Sequence, residues 1–188
     1  SEDNKVSIKS KTEVVFPKNV VTDMFYTYQD IAVKDREERQ NYDCILKRGV
    51  TVLQLDSRTE IRPDYIKSFK CTITGNCGNV FDPSTGHCHQ PATLTKTYDI
   101  SGDRFKAKRF LFTIYFFLGA DDVTDITLNT QTTDTEDKVV KKLSFKNVHM
   151  VKGKMTIYKG PFLSTHSSAS FIIDSPTIPD SGFSTEFE

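Results

Sequence analysis

Hydrophobic and polar residues alternate along most of the chain with a period of two, and turn residues interrupt this pattern at short intervals. A period of two places successive side chains on opposite faces of a strand, and the 3.6-residue period of an amphipathic helix is nearly absent. Many short strands of this kind are typical of two packed sheets, so we predict an all-β fold, an antiparallel β-sandwich. The predicted strands cover residues 13–16, 24–28, 42–55, 66–74, 93–99, 110–118, 124–129, 139–145, 155–163 and 170–174.

Turn chemistry separates these strands. Each intervening segment combines a glycine with a side chain that can bond to its own backbone, which favours a tight reversal of the chain. These segments are residues 75–76, 82–86, 101–103 and 119–122.

The predicted strand 42–55 is unusually long and has Gly49 near its middle. A glycine inside a strand indicates a bulge, a bend or a change of sheet. We therefore predict a boundary at residues 47–49. Residues 1–47 would form N-terminal strands of a partial or abbreviated domain, and residues 48–188 a C-terminal β-sandwich domain.

The segment 110–118 is apolar on both faces and rich in aromatic residues. Such a strand is normally buried on both sides, which predicts a central strand of the core. The alternative is a strand beside a groove that accepts a strand from a partner chain. In that case the strand-exchange region would include Phe110, Phe112, Ile114, Phe116 and Leu118.

Charge and length limit the possible partners. The 188 residues include 25 Lys and Arg against 25 Asp and Glu, so the formal net charge is zero. Binding to nucleic acid or to an anionic membrane surface requires a positive surplus, so neither is predicted. The longest run without Lys, Arg, Asp or Glu, 160–173, is shorter than the roughly 20 residues of a membrane-spanning helix, as is the apolar run 110–120, and no membrane span is predicted.

Cys77, His87, Cys88 and His89 form the one cluster of metal-ligand residue types. Structural zinc sites usually show two close ligand pairs, and only half of that pattern is present, so no metal is predicted. A turn at 82–86 would instead bring Cys77 and Cys88 together across a hairpin. Their disulfide would constrain the unfolded chain by about 3 kcal/mol in an oxidising compartment, and two free thiols are the alternative.

Catalytic motifs are missing from the sequence. His149 and His166 lie near no nucleophile elbow, and the chain has no phosphate-binding glycine loop and no calcium-loop spacing. We therefore predict a protein that is not an enzyme, with no catalytic residue and no cofactor.

The C-terminal third carries a family resemblance. Within residues 147–163, five positions fit a short Asn-Val-Pro strand followed by a Thr-x-Ile-x-Gly-x-x-Leu strand, although His149 replaces the proline. Residues 44–52 and 67–86 also fit, as a Leu-x-Arg domain junction and a strand-glycine hairpin. These motifs resemble those of the fimbrillin-like proteins of Bacteroidia. The five fitting positions are Asn147, Val148, Thr156, Gly160 and Leu163.

The resemblance implies two transthyretin-like, Greek-key type β-sandwich domains and export as a lipoprotein, with any lipid anchor upstream of Ser1. It further implies a cell-surface subunit or adhesin of an outer-membrane-associated fimbrium, or pilus. Its partners would be other fimbrial subunits or a host surface protein or glycan. Such subunits assemble when an extended segment of one subunit fills a groove in the next.

The C-terminal segment offers two interpretations. Phe183 and Phe187 alternate beyond a polar stretch with two prolines, which suggests a donor strand that swings outward. The same segment would otherwise be a frayed terminus or an edge strand of its own sandwich. A second functional interpretation is a secreted carbohydrate-binding or adhesive module that stacks exposed aromatic rings on sugars. The tyrosines considered for this role are Tyr26, Tyr28, Tyr65 and Tyr158.

Overall fold

The computed structural model describes residues 5–16, 21–32, 41–105, 108–165 and 172–174. Within these ranges the chain forms fifteen strands and one 3-10 turn at Asp103–Phe105, without an α-helix, so the all-β prediction is confirmed. The strands are β1 (Ser7–Ser10), β2 (Glu13–Val15), β3 (Phe25–Tyr26), β4 (Lys47–Arg48), β5 (Thr51–Asp56), β6 (Ile66–Gly75), β7 (Cys77–Gly78), β8 (Val80–Asp82), β9 (His87–Cys88), β10 (Leu94–Asp99), β11 (Leu111–Leu118), β12 (Val123–Asp134), β13 (Val139–Val151), β14 (Met155–Lys159) and β15 (Ile172–Asp174).

Two sheets form the body of the protein. Sheet I has the strand order β15-β14-β5-β11-β7, and sheet II has the order β10-β6-β12-β13. All neighbours are antiparallel except β14 and β5, which run parallel with Met155 opposite Val52. The two sheets pack face to face through a shared apolar core, as expected for a β-sandwich. The transthyretin-like, Greek-key topology stays a prediction.

The main core follows from the alternation along each strand. In β6, Phe69, Cys71 and Ile73 point inward and are buried, whereas Lys70 and Thr72 point outward. The rings of Phe69 and Phe112 lie 4.2 Å apart between the two sheets. Inward side chains of both sheets therefore interdigitate, and the outer face of sheet II is left polar.

A third layer covers the outer face of β11. Sheet III, with the order β1-β2-β8-β9, packs beside the short β3–β4 pair. Phe117, on the outer face of β11, lies 5.3 Å from the ring of Phe16 and 4.8 Å from that of Phe81. These residues belong to a second hydrophobic cluster, separate from the main core. The prediction of a strand buried on both faces holds for β11 only at its C-terminal end, at Phe117, because the outward Leu111 is exposed and the outward Thr113 and Tyr115 are half-buried.

The predicted strand 42–55 is in fact two strands. β4 pairs with β3, whereas β5 belongs to sheet I, and Gly49 lies between them. The amide of Gly49 donates to the carbonyl of Met24 at 2.9 Å, and a Cβ at this position would lie 2.6 Å from the Met24 side chain. The glycine thus permits the change of sheet at residues 47–49. The division into domains 1–47 and 48–188 stays a prediction.

Three further features differ from the strand predictions. β12 and β13 continue well beyond residues 129 and 145, β1, β7, β8 and β9 are additional strands, and β14 ends at Lys159. No helix of the described residues is long and apolar enough to cross a membrane.

Candidate functional site

The strand β11 is unequally paired on its two sides. Along one side, residues 111–116 of β11 pair with the whole length of β5. On the other side only Phe117 and Leu118 pair with β7, and Tyr115 forms a single bridge with Val21. Within the described ranges, no strand therefore pairs with this second side of residues 111–114.

The direction of the backbone groups follows from one hydrogen bond. The carbonyl of Phe110 accepts from the amide of Ser57, so the even-numbered residues of this segment direct their amide and carbonyl groups toward β5. The odd-numbered residues direct theirs away from β5. Leu111 and Thr113 consequently present backbone groups at the open side, which we call the β11 edge.

Two side chains of β10 close part of the β11 edge. Lys96 Nζ and the Tyr98 hydroxyl donate to the Thr113 carbonyl at 3.0 and 2.8 Å. The ammonium also lies 5.0 Å from the centre of the Tyr98 ring. Burial lowers the pKa of Lys96 and raises the pKa of Tyr98. These hydrogen bonds satisfy a carbonyl that another strand would otherwise engage.

A cleft runs between β10 and β11 beside these contacts. It is lined by apolar side chains from both sheets and from the N-terminal segment, among them Ile73, Leu94, Ile114 and Val21. The cleft places an apolar wall beside the open backbone groups, but its volume of about 10 Å³ has room for about one water, so an added strand would have to widen it. A strand added there would bind through hydrogen bonds between main-chain groups.

The residues predicted for strand exchange divide into three groups. Phe112, Ile114, Phe116 and Leu118 point into the main core and are buried. Phe110 is half-buried and stacks on Phe112 at 5.6 Å. Phe183 and Phe187 lie outside the described residues. The inward phenylalanines thus fix β11 in place, and the accessible part of the strand is its backbone. The role of these residues in strand exchange stays a prediction.

Cys77 and Cys88 are both buried free thiols in the structure. Cys77 packs in the main core beneath Leu118, whereas Cys88 belongs to the second cluster and pairs across its hairpin with Phe81. Burial raises the pKa of Cys77 to about 12 and also raises the pKa of Cys88. The nearby Cys88 thiol also contributes to the raised pKa of Cys77, and the disulfide stays a prediction.

The four tyrosines considered for sugar stacking have different environments. Tyr158 is buried in the main core, and Tyr26 packs edge-on against Phe81 at 4.8 Å. Only Tyr28 and Tyr65 of this set are largely exposed. Four exposed tyrosines acting together are therefore not available for stacking on a sugar.

A polar cluster lies beneath the turn of the β8–β9 hairpin. His87 Nε2 lies 2.9 Å from Asp122 Oδ1, and Lys152 Nζ lies 3.5 Å from the same oxygen. The hydrogen bond from His87 and the charge of Lys152 lower the pKa of Asp122. In the part of the chain that the structure describes, no group of three or more His, Cys, Asp or Glu side chains is arranged to hold a metal ion.

Sequence reasoning missed Lys96, Tyr98 and Val21 as parts of this site. One signal was present, because Lys96 lies between Leu94 and Tyr98 in the period of two and so occupies an inward position. An inward-pointing charge on an edge strand is a known device that protects a sheet edge. The position of Val21 beside Tyr115 has no comparable local signal.

Comparisons with protein-family models, with curated proteins and with solved structures find no match for this chain.

Proposed function

We propose that this protein is a non-enzymatic, cell-surface fimbrial subunit or fimbria-associated adhesin that joins other chains by strand exchange. The observation that carries the proposal is the β11 edge, where a deeply anchored strand leaves half of one side unpaired among the described residues. The family resemblance of the C-terminal third supports the same role.

Anchoring is what makes β11 a suitable acceptor. Its inward side chains are buried in the main core, and its full pairing with β5 holds the strand in one register. An added strand would therefore meet a rigid template whose backbone groups are already oriented.

The closing contacts are made by side chains. Withdrawal of Lys96 and Tyr98 from Thr113 would break no strand pairing, although it would separate the Tyr98 ring from Phe112. A donor strand would extend the single bridge that Val21 makes with Tyr115 to Thr113 and Leu111. We propose that the segment containing Phe183 and Phe187 supplies this donor strand in a neighbouring subunit.

The experiment uses two complementary variants of the full chain. Thr113→Pro removes the amide that points away from β5, and its ring takes the place of that N–H at the β11 edge, which blocks an added strand while sparing the β5 ladder. Deletion of residues 183–188 removes the donor. Thr113→Val keeps the amide and serves as the matched control.

The unaltered chain and Thr113→Val are expected to form concentration-dependent oligomers that resist mild detergent, measured by sedimentation. Each of the other two variants alone should stay monomeric. Their mixture should form dimers only, because one retains the donor and the other retains the acceptor. If folded Thr113→Pro forms oligomers to the same extent as the unaltered chain, the proposal that the β11 edge is the acceptor is wrong.

A further inference from the structure

The outer face of sheet II carries two rows of polar side chains across its four strands. Strand register places the outward residues of each row side by side. The first row is Thr95, Thr72, Asn129 and Ser144, and the second is Thr97, Lys70, Gln131 and Lys142.

A shallow cleft lies at the centre of these rows, between β6 and β13. Lys70 and Lys142 are exposed and flank Gln131, which is opposite both of them in the register. With neighbouring strands about 4.8 Å apart, the two lysine positions are about 10 Å apart. Two cations are thus held on one rigid surface with hydroxyl and amide groups between and beside them.

These lysines differ from others near the ends of the sheets. Lys67 pairs with Asp137 at 2.8 Å, and Lys138 pairs with Glu136 at 2.6 Å. Neither Lys70 nor Lys142 forms an ion pair with any residue that the structure describes, and neither row contains a carboxylate. The two charges are therefore available to an anionic ligand.

We infer that the outer face of sheet II binds an acidic saccharide chain. Lys70 and Lys142 would engage two carboxylates or sulfates, and their separation is comparable with a disaccharide repeat. Thr72, Asn129, Gln131 and Ser144 would exchange hydrogen bonds with sugar hydroxyls, since they supply both donors and acceptors. Neither row contains an aromatic ring, so stacking of nucleic-acid bases has no platform here.

This site is independent of the strand-exchange proposal. The β11 edge belongs to sheet I and to the cleft beside β10, whereas the two rows lie on the opposite surface of sheet II, away from the main core. Loss of one activity is therefore expected to leave the other unchanged.

The test measures binding of the full chain to oligomers of polygalacturonate by titration calorimetry at low ionic strength. The double variant Lys70→Gln/Lys142→Gln is expected to bind about tenfold more weakly, because two exposed ionic contacts are lost. Lys154→Gln, which removes an exposed charge from the β13–β14 turn, is the matched control and should bind like the unaltered chain.

Gln131→Glu places a negative charge between the lysines and should also weaken binding. A neutral dextran of the same length should not bind. Equal binding by the double variant and the unaltered chain would overturn the inference. Binding of a single-stranded oligonucleotide of equal charge as tightly as polygalacturonate would overturn the assignment to a saccharide.

Discussion

The two hydrophobic clusters that meet at β11 differ in size and in the origin of their residues. In the described part of the chain, the main core has twenty buried residues from sheets I and II, whereas the second cluster has six. Three members of the second cluster, Phe16, Phe81 and Cys88, come from the covering layer. The difference indicates that the two-sheet sandwich stabilises β11. Sheet III, the covering layer, in turn depends on its contact with β11 for its own stability.

The largest effect is expected from Phe116→Ala. Phe116 is fully buried in the main core, and truncation leaves a cavity between two sheets that cannot close around it. The free energy of unfolding should fall by about 4 kcal/mol. Denaturant unfolding measures this loss, and a change below about 1 kcal/mol would contradict the interlocked core.

Phe117→Ala is the matched change on the other face of the same strand. Phe117 is also fully buried, but its neighbours Phe16 and Phe81 belong to a thin layer that can settle inward. We expect a loss of about 2 to 3 kcal/mol. Hydrogen exchange should accelerate in β8 and β9 more than in β6. Uniform acceleration across both clusters would show that the covering layer is not a separate unit.

A glycine pair probes the packing of the covering layer more finely. Gly86 and Gly153 both have positive φ, 75° and 70°, so alanine is strained at either site. A Cβ at Gly153 meets nothing within 4 Å, whereas one at Gly86 collides with the Tyr26 hydroxyl. Gly153→Ala should cost about 1 kcal/mol and Gly86→Ala about 2 kcal/mol or more, measured by thermal unfolding. If both variants lose the same stability, the Tyr26 hydroxyl does not pack against the turn of the β8–β9 hairpin.

The smallest expected effect is on the pH dependence of stability, and it arises from Asp56 in β5 of sheet I. Arg58 donates to both carboxylate oxygens of Asp56, which lowers the pKa of Asp56 in the folded protein. The stabilisation is therefore present above the unfolded pKa, near 4, and is lost as pH falls through the folded value. Because the Arg58 side chain is 59% exposed, the contribution at pH 7 should be less than about 1 kcal/mol.

Asp56→Asn should flatten the dependence of stability on pH below about pH 4. Asp43→Asn, at an exposed carboxylate, controls for the loss of one charge. Urea midpoints measured over this range provide the comparison. An unchanged pH profile in Asp56→Asn would show that the Arg58 contact does not persist in solution.

Local patterns predicted those parts of the fold that depend on neighbouring residues. The apolar run at 110–118 predicted a strand of the core, as its inward face is, and Gly49 predicted the change of sheet. Both follow from steric and solvation rules that act within a few residues. The turn at 82–86 was found for the same reason, since the Gly86 amide donates to the Asp82 carbonyl.

Non-local arrangements escaped prediction. The polar run Thr130–Asp134 lies beyond the predicted strand 124–129, yet it continues β12, where the buried Thr132 hydroxyl donates to the carbonyl of Phe162. The contact of Lys96 with Thr113 joins two sheets. Each depends on partners that the fold brings together from distant segments, so periodicity along one strand carries no information about it.

The parallel pairing of β14 with β5 has a consequence for biosynthesis. About one hundred residues separate Val52 from Met155, and Glu60 accepts hydrogen bonds from the amides of Leu163 and Ser164. A nascent chain therefore cannot complete sheet I until β14 and the residues that follow it have left the ribosome. Because such long-range closure is slow, the β5–β14 pairing should be among the last parts of the fold to form.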